Sequence, residues 1–166
     1  MASLSASAEE GEGENVHSMN YGGIITADTQ VLSNDGALFL LSKLLERDRK
    51  TESIQQAFEY LKVAAHTTNA DDAGNIHKDL ESALGAMTLG YNQSAEGGAQ
   101  LASLEGGRLE KFEVAALINL VKEDSEQDEV VAWIGSLARF DPNDVRAAIN
   151  EVKDTKRNYV TSEYNS

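Results

Sequence analysis

The sequence predicts an all-α fold in which an N-terminal arm with its helices precedes a compact C-terminal helical bundle. Three observations carry that expectation. Apolar residues return every three or four positions in six separate segments, the spacing that puts them on one face of a helix. The 166 residues contain one proline, so little interrupts those segments. The one alternating stretch, YGGIITADTQVL at 21–32, is too short for an independent sheet.

Taken in order, residues 1–20 hold Glu9, Glu10, Glu12 and Glu14 among Ser, Ala and Gly with no Lys or Arg, a composition that predicts a disordered acidic tail. A strand within 21–32 needs an edge supplied by another chain, which makes Ile24, Ile25, Val31 and Leu32 candidate partner-binding residues. Ser33, Asn34 and Asp35 can cap the next segment, where Leu38, Leu41 and Leu45 share a face that Leu40 and Leu44 widen. A helix that broadly apolar is expected to be covered on two sides, one of them by a different protein, so Leu38, Leu41 and Leu45 join the candidate partner face. The second helix is predicted over 52–65, with Ile54, Phe58, Leu61 and Ala65 on one face and Thr51 or Ser53 as cap. The third starts at Asp71 and Asp72, carries Ile76, Leu80 and Leu84, and is expected to stop at Gly85.

Residues 85–107 hold six glycines in twenty-three positions and read as a long inserted surface loop. Periodicity returns with Phe112, Ala116 and Leu120 in a fourth helix, and Val130, Trp133, Ile134 and Leu137 are expected to point inward from a fifth beginning near Ser125. Asp141 as cap, Pro142 in the first turn and Asp144 open a sixth, with Val145, Ala148, Ile149 and Val152 on one face. Beyond Val152 the chain turns polar and is expected to run out as a tail. The implied organisation is an acidic tail (1–20), a partner-associated arm with its helices (21–65), a helical domain with the inserted loop (66–160) and a short tail (161–166).

Composition narrows the function classes. Fourteen Lys and Arg against twenty-eight Asp and Glu give a formal charge of −14, which repels a phosphate backbone, so little direct nucleic-acid binding is expected. There is no cysteine, hence no disulfide, thiolate metal site or cysteine nucleophile. Apolar runs such as 37–41 fall far short of a membrane span, and no apolar leader opens the chain, so it reads as soluble and intracellular. His66, Asp71, Asp72 and His77 match no recurring zinc spacing, and the two aspartates have a helix-capping role available. Gly97, Gly98, Gly106 and Gly107 lack the Gly-Lys-Ser/Thr ending of a phosphate cradle. The acidic run from Glu123 to Glu129 lacks the alternation and turn glycine of a calcium loop, and no Gly-x-Ser-x-Gly elbow is present. Trp133, among Val130, Ile134 and Leu137, reads as core rather than as a stacking platform. No enzyme activity and no cofactor are expected.

The last third carries a family signal. RLEKFEVAALINL (108–120), WIGSLARFDPNDVRAAINEV (133–152) and DTKRNYV (154–160) resemble the carboxy-terminal domain of the fourth subunit of RNA polymerase II. In that family a Lys-Phe-Glu helix runs to an Asn-Leu end, as Lys111, Phe112, Glu113, Asn119 and Leu120 do here. A Ser-Leu, an Arg-Phe, an acidic cap and a basic-aromatic tail follow in the same order, matched by Ser136, Leu137, Arg139, Phe140, Asp141, Thr155, Lys156, Arg157 and Tyr159. The resemblance spans roughly 24–160. It departs at AAHTTNADD, where the family has basic and aromatic residues, and at the insertion 85–107.

The resemblance implies an HRDC-like bundle, similar to the domain of RecQ helicases and RNase D, and a non-catalytic role. The chain would pair with the seventh subunit to form the stalk of the nuclear polymerase, which acts in initiation and in handling nascent RNA. RNA contact in the family is ascribed chiefly to the seventh subunit. The corresponding stalk subunit of RNA polymerase III has the same helical plan, and an unrelated helical protein-protein adaptor would show equal periodicity.

Overall fold

The structure, a computed structural model, describes residues 31–47, 51–94 and 106–163. It is all-α, with six α-helices and no strands among the described residues. Helix α1 spans Asn34–Glu46, α2 Glu52–Ala64, α3 Ala70–Ala86, α4 Lys111–Leu120, α5 Gln127–Trp133 and α6 Pro142–Glu163, with a 3₁₀ turn at Gly135–Arg139 between the last two. The expected acidic tail, Ile24, Ile25 and the middle of the glycine-rich loop lie outside the described residues.

Local chemistry accounts for the helix starts. The Ser33 hydroxyl accepts from Gly36 N, Thr51 from Ile54 N, and Asn69 from both Asp71 N and Asp72 N, so each side chain satisfies donors that a helix leaves open at its first turn. Helices α4 and α5 begin with reciprocal capping boxes, Glu110 with Glu113 and Glu126 with Glu129. Asp141 Oδ1 accepts from Asn143 N to open α6 at Pro142.

The main core lies among α3, α4, α5 and α6. Ile76, Leu80 and Leu84 of α3 meet Val114, Leu117 and Ile118 of α4, and Val145, Ile149 and Val152 of α6 close the far side. Helix α1 stands on the outer face of α3, and its Leu38 is buried outside that cluster. Glycines permit this approach. A Cβ on Gly36 would fall 2.7 Å from the His77 ring, and one on Gly74 would fall 2.7 Å from the Phe39 ring. Each helix offers a notch into which the other sets an aromatic ring, and a methyl group in either notch would have to displace a ring.

Four expectations require correction. Helix α3 runs through Gly85 to Ala86, as a helical glycine weakens a helix without ending it. Trp133 is 51% exposed rather than core; α5 ends there and the tighter 3₁₀ turn resets the register, bringing Ile134 and Leu137 inward instead. The polar segment after Val152 is helix, not tail, because α6 continues to Glu163. The flanks of the glycine-rich loop are also packed rather than loose. Leu89 is fully buried and exchanges backbone hydrogen bonds with Gly107 at 2.9 and 2.8 Å. Tyr91 stacks on Phe140 with ring centroids 5.8 Å apart, while Gly90 N donates to Asp144 Oδ2 at 2.7 Å.

Those flanks make a testable difference. Leu89→Ala should destabilise the chain by about 2–5 kcal/mol in urea unfolding, the usual range for truncating a buried leucine. Replacing 86–106 by a Gly-Ser linker should cost at least as much, because it removes both Leu89 and the Tyr91 stack; a change within experimental error would show that neither contact matters.

Candidate docking site

Of the residues at 111–159 that carry the resemblance, the structure gathers Glu113, Ser136, Arg139 and Phe140 and sends the others to separate partners. Glu113, on the inward face of α4, is completely buried. Its Oε2 accepts from Glu110 N at 2.8 Å and from Arg139 Nη2 at 2.8 Å. Its Oε1 accepts from the Ser136 hydroxyl at 2.5 Å and from Arg139 Nη1, which also donates to Ser136 O at 2.7 Å. The guanidinium lies 4.0 Å from the centroid of the buried Phe140 ring. Leu137 is buried beside them and Phe112 is half-buried against the same core. This arrangement ties α4 to the 3₁₀ turn, a structural use of four motif residues.

Lys156 does the equivalent for the other end of α4. Its buried ammonium donates to Ile118 O at 2.6 Å and Val121 O at 2.8 Å, carbonyls that the helix end leaves without partners. Burial pushes the Lys156 pKa down to about 8, and the nearby Asp35 carboxylate acts in the opposite direction. Asn119 Oδ1 accepts from Asn34 N at 2.8 Å, joining α4 to the start of α1. The Tyr159 hydroxyl donates to Asp79 Oδ2 at 2.7 Å, and this bond leads the causes that raise its pKa to about 12. Arg157 pairs with Glu123 and with Asp154, the latter at 3.1 Å, on the surface. Lys111 and Leu120 are exposed at the two ends of α4.

The expected partner face is only partly presented. Leu38 is fully buried within this chain and cannot face a partner directly, because it fills the side of α1 that meets α3. Leu41 and Leu45 are half-buried, as is Val31, and Leu32 is exposed. The side chain that stands out most is Leu40, 49% exposed, on the flank that the sequence assigned only to widening the stripe. On α2 no residue is fully buried, and Tyr60 and Val63 are 70% and 87% exposed.

A second recess opens where the C-terminal ends of α2 and α4 meet α6. It is a cavity of about 600 Å³ with Val63, Ala64, Ile118 and Val121 on its apolar side. Lys122, Lys153, Lys156 and Arg157 supply four cations to its wall, against two carboxylates, Asp35 and Glu123. Both carboxylates are engaged, Asp35 Oδ1 with His66 N at 2.9 Å and Glu123 with Arg157. Sequence reading did not anticipate this recess, since its residues come from four helices and share no spacing.

The metal ligands weighed from the sequence stay apart. Asp71 pairs with Lys43 at 3.2 Å, and His77 Nδ1 lies 2.9 Å from the Ser33 hydroxyl. Among the described residues no group of three or more such side chains converges as a metal site, and no helix is long and apolar enough to cross a membrane. No protein-family model matches the chain, and neither a curated protein nor a solved structure matches it.

Two stability measurements test the buried charges. Arg139→Met should cost about 3–5 kcal/mol because it strands the Glu113 carboxylate. Adding Glu113→Leu should recover part of that loss, and strict additivity of the two would show that the pair is not coupled. For Lys156, the folded chain releases its proton near pH 8 whereas an unfolded lysine holds it to about 10.5. Between these values the unfolded state binds more protons, so the Lys156 contribution rises with pH. Over that window native stability relative to Lys156→Met should increase by on the order of 2 kcal/mol, and a flat difference in urea midpoints would contradict it.

Proposed function

We propose that this chain is a non-catalytic stalk subunit of the kind exemplified by the fourth subunit of RNA polymerase II, that it pairs with the polymerase's seventh subunit, and that it works in the nucleus. The observation that carries the reading is α1. Of its six large apolar side chains only Leu38 is buried by the chain itself, and Leu40, Leu41, Leu44 and Leu45 keep apolar surface available. An amphipathic helix with that much uncovered leucine is suited to helix-in-groove or helix-on-sheet pairing. The resemblance of the ordered motifs from Lys111 to Tyr159 supports this family reading, and the net charge of −14 suits a subunit that leaves RNA contact to its partner.

In this reading Leu32 and Leu40 replace Leu38 as the leading contacts, with Leu41, Leu45 and Val31 beside them, and Ile24 and Ile25 remain candidate contacts from the sequence. Affinity purification of the tagged chain from nuclear extract should recover the seventh subunit together with the largest polymerase II subunit. Recovery of polymerase III chains would move the assignment to that enzyme's stalk, and recovery of neither would favour an unrelated adaptor. Leu40→Asp should leave the circular dichroism spectrum unchanged because the position is half-exposed. It should weaken binding to the purified seventh subunit by tenfold or more, as an unpaired carboxylate in an apolar interface costs at least about 1.4 kcal/mol. Binding at native strength by the folded variant would sink this interface.

A further inference from the structure

The recess between the C-terminal ends of α2 and α4 and the flank of α6 differs in charge from the rest of the molecule. The chain as a whole carries −14, yet this wall holds four cations and two carboxylates. Both carboxylates already have partners within the wall, and cations outnumber them there two to one. An ammonium group has three donors. Lys156 uses two of them on Ile118 O and Val121 O, and Lys153 directs one to Ser125 O at 2.7 Å. The Lys122 side chain makes no ion pair among the described residues.

Beside these donors the wall is apolar. Val63 is 87% exposed, and Ala64, Ile118 and Val121 continue the apolar lining. A volume of about 600 Å³ accommodates a few side chains and falls in the range of ordinary binding recesses.

We propose that this recess is a docking site for a short acidic segment of a partner protein, which sets an apolar side chain against Val63, Ala64 and Val121 and its carboxylates on Lys122 and Lys153. Charge complementarity selects this occupant. Four of the chain's fourteen Lys and Arg line this recess beside an apolar wall, so they suit one or two carboxylates close to an apolar anchor. A nucleic-acid strand would need a basic track, and its phosphates would meet the surrounding carboxylates instead. The site is separate from the leucine face of α1, so it stands or falls independently of the stalk assignment.

The test uses the full chain and a fluorescein-labelled short peptide in which glutamates flank a Leu-Phe pair, followed by fluorescence anisotropy. The expected result is saturable binding that weakens with added salt. Lys122→Glu and Val63→Asp should each reduce affinity about tenfold, a loss of ~1.4 kcal/mol. Both positions are exposed, and circular dichroism checks that the variants remain folded. Trp133→Ala, exposed on a different helix, should bind as the native chain does. No saturable binding up to about 1 mM peptide, or equal binding of a peptide with glutamines replacing the glutamates, would overturn the proposal. So would stronger binding of single-stranded RNA that the same two substitutions weaken. Binding seen only after removal of residues 1–20 would also overturn it, since the chain's own acidic segment would then be the occupant.

Discussion

The C-terminal half closes around one buried charge. The Glu113 carboxylate has no solvent access, and an ion in that position is tolerated only when its hydrogen-bonding capacity is filled. Its partners come from the residue that caps α4 and from the 3₁₀ turn, namely Glu110 N, the Ser136 hydroxyl and both Nη atoms of Arg139. The same side chain completes the capping box that starts α4. Helix initiation and the placement of the turn thus share one group. The turn in turn sets Phe140, against which Tyr91 stacks, and so anchors the chain as it leaves α3.

Lys156 complements this arrangement at the opposite end of α4. A carboxylate near the helix start and an ammonium at its carbonyl end both oppose the partial charges of the helix termini. Helix α4 is only ten residues long and would be marginal alone; its own Glu113, held by Arg139, anchors the start and Lys156 of α6 anchors the end. The family-like motif therefore consists largely of residues that hold α4 in place. Uncovered apolar surface lies on the leucines of α1, and the recess beside α6 borrows Asn119, Lys156 and Arg157 from the same motif.

How much was legible in the sequence follows from which interactions are local. The six helices could be placed because their apolar spacing and caps lie within a few residues of each other, as with Asn69 before α3 and Asp141 before α6. The segment after Val152 reads as polar tail because most of its residues are polar. Yet Val145, Ile149, Val152, Lys156 and Tyr159 continue a single three- and four-residue series, and that series was the available signal. Leu89 gave no such signal, as its burial depends on Gly107 across the loop. The recess was invisible for the same reason, being assembled from four helices. Leucine spacing on α1 identified an apolar helix correctly, but spacing alone does not say which leucine a neighbouring helix will take. That choice fell to α3, which covers Leu38 and leaves Leu40 outside.

The reciprocal notches at Gly36 and Gly74 have a mechanical consequence. With the His77 ring seated over one helix and the Phe39 ring over the other, α1 can neither roll about its axis nor slide along α3 without driving a ring into backbone. Close-packed contacts of this kind transmit force rather than absorb it. A protein gripping the outer leucines of α1 would therefore hold α3, and through α3 the core, by a stiff handle. Torque applied at that grip would turn the whole bundle as one body.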